Sequence, residues 1–247
     1  MEISSVNNDL VKTYSKLQQK KYRKLTGKFL LEGYKAIKEA FDYGIKLERI
    51  FVQADNLEDY EFAKDVLIKT NEAVLKKLSS TESAPNAVAV GFIPSQDEKV
   101  LQSCNKVILL ENIKDLGNLG TIIRSAVAFG VDAIVLYGES VDIYNPKVVR
   151  SSVGQLWKIP IINIDDFEQL QKIFKDYERV ATLPRTNNLL KDFNFKTRTL
   201  IMFGSEADGL SDELIDFATD SVKIEMSAKV ESLNLATSAS IIMYMMS

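Results

Sequence analysis

Short apolar runs recur through the second half of the chain. Lys106-Val107-Ile108-Leu109-Leu110, Ala133-Ile134-Val135-Leu136-Tyr137, Ile159-Pro160-Ile161-Ile162, Arg179-Val180-Ala181-Thr182 and Leu200-Ile201-Met202-Phe203 are nearly continuous in hydrophobic residues. Runs of that length without polar alternation predict strands buried on both faces. The intervening segments carry helical spacing: residues 121–129 present Ile122, Ile123, Ala126 and Val127 and stop at Gly130, a second helix opens with Pro146 at its first position, and residues 167–176 form a third. Strands alternating with helices predict an α/β fold with a mostly parallel sheet and helices on both faces.

Residues 200–240 are the most informative part of that pattern. The apolar run 200–203 ends at Gly204-Ser205-Glu206-Ala207-Asp208-Gly209, where two glycines allow the backbone to approach a ligand closely. Ser211 has the position of a helix cap, residues 222–226 predict a further strand, and Glu231-Ser232-Leu233-Asn234 opens an apolar C-terminal helix. Two strand-to-loop junctions thus fall close together, and open α/β sheets place ligand sites at such junctions.

The first 95 residues read as a smaller alternating unit. An amphipathic helix is expected over residues 8–24 with Leu10, Tyr14 and Leu17 on its apolar face, then a strand at 29–31, a helix carrying Tyr34, Ile37 and Phe41 before Gly44, a strand at 49–52, a helix over 57–69 and a strand at 87–93. The polar, proline-initiated stretch from Pro94 is the expected linker, about residues 94–103, dividing a domain of 1–95 from one of 104–247.

Composition narrows the chemistry. The 247 residues contain one cysteine, Cys104, and no histidine, so an internal disulfide, a cysteine-cluster zinc site and every histidine-based nucleophile system are excluded. No metal is expected. No apolar run is long enough to span a membrane and the N-terminus lacks a signal pattern, so a cytoplasmic protein is expected. The formal net charge of −3 conceals an uneven distribution: residues 1–30 hold Lys12, Lys16, Lys20, Lys21, Arg23, Lys24 and Lys28 against Glu2 and Asp9. These cations form either a solvated helix face or a phosphate-contacting arm.

Three segments, Asn118-Leu119-Gly120-Thr121-Ile122-Ile123-Arg124, Phe203-Gly204-Ser205-Glu206-Ala207-Asp208-Gly209-Leu210, and Ile224-Glu225-Met226 with Glu231-Ser232-Leu233-Asn234, occur in that order. In order and content they resemble the motifs of the SpoU (TrmH-like) RNA ribose 2′-O-methyltransferases of the SPOUT superfamily. Asn145-Pro146-Lys147-Val148-Val149-Arg150-Ser151-Ser152-Val153-Gly154 is similar to the family helix between the first two motifs. The likeness covers about residues 106–245. More loosely, Phe29-Leu30-Leu31-Glu32-Gly33 and Ser79-Ser80-Thr81-Glu82-Ser83 resemble the ribosomal-protein-like α/β domain that precedes the catalytic domain in many members.

The resemblance implies a deep trefoil knot in the C-terminal domain, with S-adenosylmethionine in the knotted bend. It implies cofactor contacts at Gly204, Leu210, Ile224, Met226 and Leu233, and catalytic roles for Asn118, Arg124, Glu206, Ser232 and Asn234. It further implies a structured RNA substrate, ribosomal rather than transfer RNA, contacted by Lys12, Lys16, Lys20, Lys21, Arg23, Lys24 and Arg150, and a homodimer formed through the C-terminal domain. From the residues alone, Arg124 either pairs with a carboxylate such as Glu206 or faces a cleft. A guanidinium is a poor base, so stabilising an alkoxide or binding phosphate suits it better, with proton removal left to Glu206, a phosphate oxygen or water. Ser232 is expected to serve as both helix cap and site residue.

The family usually has Pro where Leu116 and Glu225 stand, Gly at Ala228 and often Ser at Ala236. Two other readings compete: an RNA-binding assembly protein with a decayed site, which the Glu225 and Ala228 departures favour, and a nicotinamide enzyme, which the lack of any G-x-G-x-x-G after a strand disfavours.

Overall fold

The computed structural model describes residues 1–227, 229–230 and 232–247. Ala228 and Glu231, both quoted for the family likeness, lie outside the described residues. Contacts divide the chain into two compact units, Met1–Ser95 with Asp142–Trp157, and Gln96–Val141 with Lys158–Ser247. Asp142–Trp157 belongs by its contacts to the first unit although it lies within the second half of the chain.

In the first unit, β1 (Glu2–Ile3), α1 (Asp9–Ser15), α2 (Lys20–Thr26), β2 (Lys28–Glu32), α3 (Tyr34–Asp42), β3 (Leu47–Gln53), β4 (Leu67–Thr70), α4 (Glu72–Leu78) and β5 (Ala87–Phe92) form a five-stranded sheet, order β1-β4-β3-β5-β2, with helices packed on it. β5 runs antiparallel to both neighbours, β3 and β2. Leu30, Phe51, Ile68, Val88 and Val90 on the sheet meet Val11, Tyr14 and Leu17 from the N-terminal helices and Val74, Leu75 and Leu78 from α4.

The expected single helix over 8–24 is broken by a 3-10 turn at Lys16–Gln18 and an extended Gln19. The break lets Gln18 Nε2 donate to the carbonyls of Lys77, Leu78 and Ser79, which α4 leaves unsatisfied at its C-terminal end. The expected helix over 57–69 is replaced by 3-10 turns across Ala54–Val66, with non-helical Tyr60 and Ala63, followed by β4. Parallel pairing of Leu67 and Ile68 with Ile50 and Phe51 of β3 overrides the local helical preference.

In the second unit, β6 (Lys106–Glu111) leads to α5 (Leu116–Ala128) and β7 (Ala133–Tyr137). After β7 the chain leaves for the excursion that carries α6 (Pro146–Ser151) and then returns. The remaining elements are β8 (Ile161–Ile164), α7 (Phe167–Phe174), β9 (Glu178–Thr182), β10 (Thr199–Phe203), α8 (Asp212–Phe217), β11 (Asp220–Val222) and α9 (Leu235–Met246). The sheet order is β11-β9-β10-β6-β7-β8 and every pair is parallel. β7 and β10 are buried at every position, as their unbroken apolar runs require.

Three boundaries differ from expectation, and each bears on the site. α5 starts at Leu116 rather than 121, because Asp115 caps it by accepting the Asn118 amide at 2.6 Å. Asn118 therefore sits in the first helical turn, and Leu116 takes the first helical position, where the family's proline would also fit. β11 ends at Val222, since Lys223 pairs with Leu189 of the β9–β10 connection instead of continuing the sheet. α9 is capped by Asn234, whose Oδ1 accepts the amides of Ala236 and Thr237, so Ser232 precedes the helix and is not its cap.

Candidate active site and cofactor cleft

A cleft of about 450 Å³ opens at the carboxyl ends of β9, β10 and β11. One wall is Thr182-Leu183-Pro184, a second is Phe203 with Gly204-Ser205-Glu206, a third is Val222-Lys223-Ile224 with Met226, and the fourth is Ser232-Leu233-Asn234 with Leu235, Ser238 and Ile242. The glycine-bearing turn after β10 closes on itself: the Ser205 amide donates to Gly209 O and the Gly209 amide to Ser205 O, each at 3.1 Å. Gly209 takes a left-handed φ of 72°, while Gly204 is packed against the Gly209 backbone. Buried Glu111, ending β6, accepts the Ser211 amide at 2.8 Å and fixes where the turn hands over to α8.

At the mouth of the cleft three polar side chains form a line. Asn118 Nδ2 donates to Glu206 Oε1 at 2.6 Å, and Asn234 Nδ2 donates to Asn118 Oδ1 at 3.0 Å. Because Asn118 is held by the first turn of α5 and Asn234 by the first turn of α9, packing of the two helices sets this line; Ser125 and Ser240 add a hydroxyl contact at 2.7 Å between them. Arg124 lies on the face of α5 that also carries Asn118 and Thr121, at i+3 spacing. It is exposed, has no ion pair with Glu206 or any other described acid, and is not among the described residues that border the cleft.

Gly204, Ile224, Met226, Leu233, Ser232, Glu206 and Asn234 thus border one cleft. Leu210 does not: it is buried in the core of the second unit, packed among residues such as Met202 and Leu214, because the turn points it inward past Gly209. Glu225 is turned to the Lys191 ammonium at 2.5 Å, and this contact raises the Lys191 pKa. Thr182, Leu183, Pro184, Lys223 and Ser238 were not anticipated; the first three lie just where the fourth strand of this unit ends, a position that strand-end reasoning would have found.

The expected RNA contacts divide. Lys12, Lys16, Lys20, Lys21 and Lys24 are exposed. Arg23 is not available to RNA: it is 2% exposed, donating to Asp142 Oδ2 and to Leu17 O, both at 2.7 Å. A buried guanidinium needs such a partner, and Asp142 supplies it from the excursion counted with the first unit. Arg150 is exposed but engaged, with Nη1 3.1 Å from Glu32 Oε2 and from Ser80 Oγ. Among the described residues no cluster of His, Cys, Asp or Glu could hold a metal ion, and no helix is long and apolar enough to cross a membrane.

Residues 105–244 match the SpoU rRNA Methylase family, and residues 8–89 match the MRM3-like substrate binding domain. The chain belongs to the SpoU rRNA methylase family. It is 32% identical to an uncharacterized tRNA/rRNA methyltransferase of Synechocystis, over 98% of this chain and 92% of that protein. It is 28% identical to the 23S rRNA (guanosine(2553)-2′-O)-methyltransferase RlmP of Bacillus subtilis, over 98% of both chains. Among solved structures, the SpoU methyltransferase AviRb of Streptomyces viridochromogenes in complex with AdoMet superposes with a TM-score of 0.87 at 26% identity, over 97% of each chain.

Proposed function

We propose that this protein transfers the methyl group of S-adenosylmethionine to a ribose 2′-hydroxyl of ribosomal RNA. The observation that carries the reading is the Glu206–Asn118–Asn234 line at the mouth of a cleft whose walls are otherwise largely apolar side chains and backbone. Such walls fit an adenosine moiety: main-chain donors and acceptors read the uncharged base edge, and apolar side chains cover its faces. Gly204, Ile224 and Leu233 would hold the cofactor, which supplies an electrophilic methyl on a sulfonium.

The chain's own residues then position and polarise the acceptor. Arg124 is permanently charged, so it acts on a phosphate or on the developing alkoxide and not as the base. Asn118 orients the Glu206 carboxylate, leaving Glu206, a substrate phosphate oxygen or water to take the proton. Methyl transfer requires in-line approach, so holding the ribose in place contributes much of the acceleration.

The first unit serves as the RNA-binding domain in this reading, with exposed Lys12, Lys16, Lys20, Lys21 and Lys24 on phosphates. The C-terminal segment threads the β9–β10 connection as a trefoil knot; the pairing of Lys223 with Leu189 of that connection supports it. Ile241, Tyr244 and Met245 expose apolar surface on α9 and support a homodimer through this unit. A cytoplasmic location is part of this reading.

The test is methyl incorporation into RNA, with mapping of 2′-O-methyl sites in cells with and without the protein. Arg124→Ala is expected to lose transfer while keeping cofactor affinity. Failure of the wild-type chain to bind S-adenosylmethionine by calorimetry would overturn the enzymatic reading, and a site mapped to transfer RNA would overturn the ribosomal assignment.

A further inference from the structure

Among the described residues lining the cleft only two carry charge, Glu206 and Lys223. Glu206 is engaged by Asn118. Lys223 is half-buried, and its ammonium has no hydrogen bond or ion pair among the described residues. Other lysines near acids in this chain are claimed: Lys28 by Glu48, Lys38 by Asp42 and Lys191 by Glu225. The backbone of Lys223 is also fixed, its amide donating to Asn188 O at 3.0 Å and its carbonyl accepting the Leu190 amide at 2.8 Å. The root of an unpaired cation is therefore anchored in the wall of the cleft. An anionic ligand group there would give the ammonium the charge-assisted hydrogen bond that no described residue supplies.

Adenine and ribose are uncharged, and the sulfonium and α-ammonium of S-adenosylmethionine are cationic, so its only anionic group is the α-carboxylate. We propose that Lys223 binds that carboxylate and so orients the methionine arm of the methyl donor, an inference that rests on the cleft being the cofactor site. With Glu206 on another wall, the two charges of the cleft match the two signs of the ligand's amino-acid end.

Calorimetry on the full-length chain tests this with three ligands: S-adenosylmethionine, S-adenosylhomocysteine and 5′-methylthioadenosine, the last lacking the amino-acid end. In Lys223→Gln the first two are expected to bind about tenfold more weakly, as for loss of a charged hydrogen bond. Methylthioadenosine should bind as it does to wild type, and Lys223→Arg should restore most of the loss. Equal weakening of methylthioadenosine would make the role of Lys223 structural and overturn the proposal. Unchanged cofactor affinity with weakened RNA binding would assign Lys223 to an RNA phosphate and overturn it as well. If wild type bound none of the three, the cofactor reading would fall and this proposal with it.

Discussion

A methyl group added at Gly204 would lie 1.9 Å from the carbonyl carbon of Gly209 and 2.1 Å from both Gly209 O and Leu210 N. Non-bonded carbons rest about 3.5–4.0 Å apart, so the two backbone segments would have to separate by roughly 1.5–2 Å. All three obstructing atoms are main chain, and no rotamer change can relieve them. The separation breaks the reciprocal Ser205–Gly209 amide pair, at about 0.5–1.5 kcal/mol per bond, on top of about 1–3 kcal/mol for forced overpacking. The same turn carries Glu206, so the polar line to Asn118 and Asn234 is lost with it. If a few kcal/mol fall on the cleft, cofactor affinity drops by at least about 30-fold, at about 1.4 kcal/mol per factor of ten. Gly209→Ala is the comparison: its φ is 72° but nothing lies within 4 Å of an added Cβ, so only the left-handed penalty of about 1–2 kcal/mol applies. Calorimetry with S-adenosylmethionine, together with urea unfolding to show that each variant is folded, reads both effects. Gly204→Ala binding within threefold of wild type, or Gly209→Ala proving the worse of the two, would refute the steric argument.

Asn234 has two jobs that chemistry can separate. Asn234→Asp keeps the capping oxygen and loses the donor to Asn118, so thermal stability should stay near wild type while methyl transfer falls; Asn234→Ala should also lose about 1 kcal/mol of stability, measured by urea unfolding. Asp142→Ala strands the buried Arg23 guanidinium and should destabilise the first unit by about 3 kcal/mol, seen as a lower unfolding midpoint for signals from that unit. Reversing the charge of Lys20, Lys21 and Lys24 together should weaken RNA binding and flatten its dependence on salt, measured by filter binding across a salt series; an unchanged slope would show these lysines to be merely solvated.

The parallel sheet of the second unit is legible because its evidence is local. A strand buried on both faces has to be apolar throughout, and Ala133 to Tyr137 or Leu200 to Phe203 satisfy that without reference to any distant residue. The helix expected over 57–69 fails for the converse reason, since Leu67 and Ile68 take their conformation from β3 and not from their neighbours. The same distinction divides the site. Gly204 and Gly209 announce a tight backbone turn in their own sequence, so that wall of the cleft is visible in advance. The contact between Asn118 and Asn234 joins residues 116 positions apart and depends on how α5 meets α9. Leu210, quoted in the same motif as Gly204, turns into the core, because a motif records which residues travel together and not which way each one faces.

Basic residues show this most clearly, because composition treats them as equivalent and the fold does not. Lys20, Lys21, Arg23 and Lys24 are consecutive or nearly so, yet Arg23 alone is claimed by an acid, and that acid lies 119 residues further on. Arg150 is claimed in the same way by Glu32, across 118 residues. A cation paired inside its own unit has spent its charge on the fold and contributes little to an incoming phosphate or carboxylate. A cation left unpaired retains that charge for a ligand. That criterion alone leaves several candidates in the second unit, since Lys106, Lys172 and Arg185 also have no ion pair among the described residues; position then favours Lys223, in the wall of the cleft, and Arg124, on the face of α5 that carries Asn118. Neither could be distinguished from its claimed counterparts until the acids had been placed.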